Sequence, residues 1–280
     1  MQGLSEFLPI SSSGHLLLVP WLFGWNDFSD VSVEKAFNVS LHLGTLIAVV
    51  IYFRHDLIVY VRDGLRMVVQ KKKPHTTEGR LAWLLVVASV PAGLFGAFAG
   101  NWIDKHLGKP VIIAASLIVF GLLLAWADRR RGQRKFEEMT SRDAIAIGLA
   151  QVIALNPGTS RSGISISAAR VMGFDRDTAV RFSFLLSIPV TAGAVAVKLL
   201  DLFADGIPDG LVIPMVVGIL TSGLSGWLAV AGLLKLVRSK SFDAFVIYRV
   251  VAGVAILVIA ASGWLLLRCL QKRTRPSERN

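Results

Sequence analysis

The chain has one cysteine, Cys269, in 280 residues. A single thiol excludes an internal disulfide and any multi-cysteine metal site. Its place at the end of the last apolar run reads as inert. Acidic residues are scarce too: 19 against 30 Lys and Arg, a net charge of +11. No Walker-type loop, Cys-x-x-Cys or His-Glu-x-x-His pattern occurs, which disfavours nucleotide hydrolysis and zinc proteolysis. No basic face alternates with exposed aromatics, so the positive balance does not point to nucleic acid. Met1-Gln2-Gly3-Leu4 lacks a basic leader and an apolar h-region, so no cleavable signal is visible. The chain opens as if already inside a helix, and a few preceding residues are expected.

Apolar residues are abundant. They make up 54% of the chain, and mean hydropathy is +0.60. That is more than a soluble domain of this length needs, and it reads as an integral membrane protein with several helical spans. The runs are continuous rather than alternating, which argues against a closed β-barrel. The expected fold class is all-α and polytopic, a single membrane domain over 1–280. Six runs, near 36–53, 81–99, 110–127, 181–200, 211–234 and 245–267, approach the length needed to cross a hydrocarbon core. Segments 1–24 and 144–173 are apolar but broken by Pro, Gly and Ser. Each reads as a re-entrant pair of half-helices, because irregular backbone at membrane depth is tolerated where it lines protein or a cavity.

Loop charge gives the orientation. Residues 54–80 carry Arg54, Arg62, Arg66, Lys71, Lys72, Lys73 and Arg80. Residues 128–142 carry Arg129, Arg130, Arg131, Arg134, Lys135 and Arg142, and 235–243 carry Lys235, Arg238 and Lys240. Residues 201–210 hold Asp201, Asp205 and Asp209 with no basic residue. The positive-inside rule places the first three in the cytoplasm and the last outside. Parity puts the basic tail 268–280 outside, against the rule.

A broken helix followed by three spans occurs twice, in opposite orientation, as inverted repeats over about 1–127 and 142–267. Gln2 to Gly14 reads QGLSEFLPISSSG and Gln151 to Gly163 reads QVIALNPGTSRSG. Inverted repeats with paired broken helices place their site near the midplane. Half-helix N-termini there present free N–H groups and partial positive charge, which suit phosphate.

The residues that carry chemistry lie in these two clusters. Arg161 sits between apolar runs, where an arginine normally faces a cavity, a partner or a substrate. With Thr159, Ser160, Ser162 and Gly163 it suits an anion, and its guanidinium can hold phosphate oxygens with paired N–H bonds. A structural ion pair with Glu6 is the plainer reading. Gln2 and Glu6 share one face of the first half-helix. Glu6 is expected to hold a divalent ion, Mg²⁺ or Ca²⁺, or to orient a hydroxyl or imidazole. Ser11, Ser12 and Ser13 offer hydroxyls at a turn; one of them is expected as an N-cap, and a serine can attack phosphorus if a base takes its proton. His15 beside them suits general acid–base work. His42 and His55 have no such company and read as structural or interfacial.

The stretch QGLSEFLPISSSGH resembles the (E/Q)-x-x-x-E plus Ser-rich signature of the undecaprenyl-diphosphate phosphatase family, also called the bacitracin-resistance protein. NPGTSRSG resembles that family's P-G-x-S-R-S-G signature. The likeness extends over essentially the whole chain. It implies removal of one phosphate from a C55 polyprenyl diphosphate, giving the carrier lipid for peptidoglycan synthesis, in a bacterial inner membrane with the site open toward the outside. It also implies Mg²⁺ or Ca²⁺. Carried over by position, Gln2 and Glu6 take the acidic motif, Ser12 the favoured nucleophile, His15 the histidine, and Ser160 and Arg161 the phosphate-binding places. Direct attack by water, with His15 as base, stays open, as does a homodimer. The rival reading is a transporter or flippase of an anionic phospholipid.

Overall fold

A computed structural model describes residues 1–25, 31–70, 76–207 and 210–262. Lys71–Lys73, Asp209, Cys269 and the tail 268–280 lie outside the described residues. The chain is helical throughout, with no strand among the described residues. A short broken pair, α1 (Gln2–Phe7) and α2 (Ser12–Phe23), opens it. Then follow α3 (Val31–Tyr52), α4 (Arg54–Val69), α5 (Thr77–Leu107) and α6 (Pro110–Asp128). The second half has its own broken pair, α7 (Ser141–Val152) and α8 (Arg161–Val171), then α9 (Arg176–Asp205), α10 (Val212–Leu236) and α11 (Asp243–Ala261). Five of these helices are long and apolar enough to cross a membrane, or six if α3 and the helix bent 80° from it count as one span. The protein is an all-α, multi-pass membrane protein.

The basic loop expected at 54–80 contains a helix, α4. Ile58, Val61, Leu65 and Val68 form an exposed stripe at helical spacing along it, with Arg54, Arg62 and Arg66 beside them. An amphipathic helix of that kind, turned sharply from its span, lies in the interfacial plane with its apolar face in the headgroup boundary. Loop composition alone hid it, because the basic residues dominate the average.

The three basic loops meet at one end of the bundle. Arg80 donates to the Glu137 carbonyl, and Arg176 holds the Asp128 carboxylate at 2.6 and 2.9 Å. The Asp128 carboxylate also accepts from the Phe242 amide at 3.2 Å. Lys135 pairs with Asp175 at 2.5 Å, and that bond holds the ammonium pKa above its usual value. A cavity of about 640 Å³ lies at this end, lined by Arg129, Arg130, Arg131, Lys135 and Arg176 among others. Lys135, Arg170, Arg176 and Arg238 of its lining pair with Asp175, Asp128 and Asp177, and it lies at the far end of α8 from Arg161.

Glycine allows the short helices to enter the bundle. The first half-helix α1 packs on α10, and α7 packs on α5. A Cβ on Gly3 would sit 2.3 Å from the Ser222 carbonyl, and one on Gly148 would sit 2.3 Å from the Ala88 carbonyl. Close backbone approach through small residues is how helices associate without a hydrophobic driving force between them. Gly148→Val should therefore push α7 off α5, with a loss of about 1–3 kcal/mol of stability. A lowered thermal midpoint in detergent checks this. An unchanged midpoint would mean that α7 is not pinned at that contact.

Candidate active site

Both broken helices turn in the same way. Ser11 and Ser160 occupy the left-handed region at φ 75° and 74°, a strained place for a residue with a Cβ. Each is the N-cap of the second half-helix: Ser11 Oγ accepts from the Gly14 amide at 3.4 Å, and Ser160 Oγ from the Gly163 amide at 3.1 Å. Backbone strain of this kind persists only where surroundings over-determine it. Here the surroundings are the other turn. Ser11 Oγ also accepts from the Gly158 amide at 3.1 Å, and Ser162 Oγ donates to the Leu8 carbonyl at 3.2 Å. Gly158, at φ +94°, has no room for a side chain: a Cβ would lie 2.6 Å from the Ile113 carbonyl. The two tips touch.

Glu6 and Arg161 meet where the tips meet. Arg161 Nη2 donates to Glu6 Oε1, and Nη1 donates to Thr191 Oγ1 at 2.7 Å. Ser12 Oγ donates to Glu6 Oε2 at 2.6 Å, and Gln2 Nε2 donates to the same oxygen at 2.9 Å. The Glu6 side chain is 4% exposed and that of Arg161 is 23% exposed, so the pair is buried on the carboxylate side and accessible on the guanidinium side. Sequence reasoning treated this ion pair as the structural alternative to a phosphate site. The geometry makes the two compatible: Arg161 keeps surface open to an anion while Glu6 orients it.

The other expected residues fall around this pair. Ser13 is exposed, 3.5 Å from Ser11 Oγ. Thr159 is fully buried, its hydroxyl accepting from Asn156 Nδ2 at 3.1 Å. Ser160 and Ser162 share a hydroxyl contact of 3.2 Å. His15 is engaged on both nitrogens: Nδ1 donates to the Ser11 carbonyl at 2.6 Å, and Nε2 faces the Tyr248 hydroxyl at 2.6 Å. The Ser12 hydroxyl hydrogen therefore goes to Glu6, while His15 braces the turn that presents Ser12.

Two residues were not anticipated. His42, read as structural, has Nε2 3.9 Å from Glu6 Oε2, with Nδ1 donating to the Asn38 carbonyl at 2.8 Å. That inner bond fixes the ring so that Nε2 faces the carboxylate. Arg249 is fully buried, and its guanidinium donates to backbone carbonyls of both tips. An arginine inside an apolar run was the signal in both sequence and physics. It was used for Arg161 and passed over for Arg249.

Gln2 and Glu6 are the oxygen-bearing side chains that would face a hard cation. Gln2 Oε1 is buried without a hydrogen-bond partner, one residue-turn from the Glu6 carboxylate. Among the described residues no group of three His, Cys, Asp or Glu side chains converges. The Glu6 oxygens are bonded to Arg161, Ser12 and Gln2, so a cation held there would take most of its coordination shell from water and phosphate.

Relatives supply the remaining constraint. A family model described as bacitracin resistance protein BacA matches residues 1–255. The chain is 45% identical over 260 residues to a protein of Geobacter metallireducens named undecaprenyl-diphosphatase, covering 92% of this chain and 94% of that one. It is 46% identical over 259 residues to the protein of that name from Geobacter sulfurreducens, with 92% and 94% covered. A third, from Elusimicrobium minutum, is 42% identical over 260 residues, with 93% and 95% covered. Near-complete coverage at this identity, on a chain whose two signature turns meet in space, places the protein in the bacitracin resistance protein BacA family.

Proposed function

We infer that the protein hydrolyses undecaprenyl diphosphate to the monophosphate and inorganic phosphate in a bacterial inner membrane, recycling the carrier lipid for peptidoglycan synthesis. The carrying observation is the Glu6–Ser12–Arg161 constellation, built from both halves of the chain. In this reading the diphosphate head enters at the tips from the external side, and the prenyl tail stays in lipid. Arg161, with the N-termini of α2 and α8, holds the terminal phosphate; the hydroxyls of Ser11, Ser13, Thr159, Ser160 and Ser162 and the Gly163 amide shape that cradle. Ser12 Oγ attacks phosphorus, and Glu6, already its acceptor, takes the proton. The P–O bond to the lipid monophosphate breaks, and water later releases phosphate from Ser12. His15 serves by fixing the turn, with acid–base work open to it when Nε2 exchanges Tyr248 for a reacting oxygen.

Gln2 and Glu6 are the residues proposed to hold Mg²⁺ or Ca²⁺, which supplies charge neutralisation to phosphate oxygens. Chelation should lower phosphate release at least tenfold, and added Mg²⁺ or Ca²⁺ should restore it; full activity in excess chelator would remove the cation from the account. The similar construction of the two turns, and the packing of α1 on α10 and α7 on α5, support an inverted duplication over about 1–127 and 142–267. A homodimer is the proposed assembly. The transporter reading is not favoured: a pure carrier site needs no serine with an adjacent carboxylate acceptor, and the relatives bear a hydrolase name. Inorganic phosphate release from a polyprenyl diphosphate in detergent, where transport is impossible, tests the choice. Release supports the hydrolase; binding without release would favour the carrier.

A further inference from the structure

Arg249 stands in α11 with none of its surface exposed. Its Nε donates to the Leu117 carbonyl at 3.1 Å and its Nη1 to the Pro9 carbonyl at 3.1 Å. Nη2 donates to the carbonyls of Gly158 at 3.0 Å and Thr159 at 2.9 Å. One planar fork thus binds the first tip, the second tip and α6 together. The slot is shaped for it: a Cβ on Gly163 would lie 2.9 Å from Nη1, and one on Gly121 would lie 3.2 Å from Arg249 Cβ. Lysine has the charge but not the rigid fork of donors.

Every acceptor is a neutral carbonyl. Among the described residues no carboxylate lies within ion-pairing distance of Arg249. Arg161, in contrast, is answered by Glu6. The charge sum at the tips is therefore one carboxylate and two guanidinium groups, with Arg249 carrying the surplus. A buried cation at membrane depth without a counter-ion marks a functional pathway, because burial opposes it unless an opposite charge arrives. Its bonds also draw the carbonyl ends of the tip peptides toward α11, which turns their negative ends away from the cradle.

We propose that Arg249 is a positioning residue with two separable actions: it clamps the two tips in register, and its uncompensated charge draws the anionic diphosphate head into the site. This rests on the hydrolase reading above. The register action acts through Arg161 and Ser12, so it appears in kcat. The charge action appears in the affinity for the anion, even for an inert one.

The probe is a farnesyl methylenediphosphonate, titrated calorimetrically into the detergent-solubilised protein, alongside phosphate release from a polyprenyl diphosphate. Arg249→Lys keeps the charge and loses the fork: we expect affinity within about threefold of the parent and kcat at least about 100-fold lower, since a small misplacement costs that much. Arg249→Gln loses the charge: affinity should fall about tenfold or more. Titrated in excess chelator, where no cation on Glu6 contributes to either protein, Glu6→Gln leaves the clamp intact and uncovers Arg161, so it should bind the probe more tightly than the parent titrated in the same way. Equal affinities for the Lys and Gln variants, or an Arg249→Gln protein that binds like the parent, would overturn the charge action. Unaltered kcat in Arg249→Lys would overturn the clamp. If neither variant folds, Glu6→Gln decides: unchanged or weaker binding contradicts the charge sum. A parent that binds the probe but releases no phosphate sinks the hydrolase reading and leaves this charge arrangement standing.

Discussion

Arg161→Ala should reduce phosphate release by about 10³-fold or more, and Glu6→Ala by a similar factor, in protein that remains monodisperse. Among the described residues, the guanidinium is the one cation of the site with both a fixed orientation and open surface. Removing a preorganised group aimed at developing phosphoryl charge forfeits several kcal/mol of transition-state stabilisation, about 10³- to 10⁵-fold for an arginine at phosphoryl transfer. Glu6 loss has two consequences: Ser12 loses its acceptor, and Arg161 loses the partner that aims it. Arg161 loss leaves the buried Glu6 carboxylate unanswered, with an expected stability loss of about 3–5 kcal/mol. The two effects separate when rate is normalised to folded protein and the thermal midpoint is read in parallel. A variant that folds and keeps activity within about tenfold of the parent takes its residue out of the chemistry. The pair also predicts non-additivity: the Arg161→Ala, Glu6→Gln double variant should be little slower than Arg161→Ala alone, because residues that act as a unit do not contribute separately.

Ser12→Ala should be the other near-complete loss, at least about 10³-fold if the hydroxyl is the attacking group. Ser12 is singled out by geometry among the three serines. Ser11 is committed as the cap of α2 and as acceptor of the Gly158 amide, and Ser13 is exposed. Only Ser12 is bonded to the carboxylate, at 2.6 Å. Rapid acid quench during turnover, followed by peptide mass measurement, should find phosphate on Ser12. Ser12→Ala with full activity and no trapped phosphoserine would shift the attack to water held by the same carboxylate, leaving the roles of Arg161 and Glu6 unchanged.

Much of this was legible in the sequence, for physical reasons. Continuous apolar runs fix spans because a bilayer requires every backbone group to be satisfied within its segment. α6 and α10 thus fall within about two residues of the expected bounds. α5 and α9 run well past theirs, to Leu107 and Asp205, because a helix continues through the interface after its apolar stretch ends. The paired turns were legible because Ser and Gly clusters at membrane depth have few other uses. His42 and Arg249 were not. The His42 ring is brought to Glu6 by α3 packing, and the carbonyl partners of Arg249 lie 90 to 240 residues away in the chain. Backbone carbonyls leave no mark in a sequence, so a residue that binds only them looks like a topology anchor. Gln151, which aligns with Gln2 in the repeat, is buried with neither amide atom hydrogen-bonded among the described residues.

The account depends on the two oppositely inserted tips forming one anion site. A structure of the protein with farnesyl methylenediphosphonate bound reads this directly. The account predicts the terminal phosphonate within hydrogen-bonding reach of Arg161 from one half and Ser12 from the other. A phosphonate seated against the basic residues of the 128–142 loop, with Arg161 and Ser12 both untouched, would contradict it.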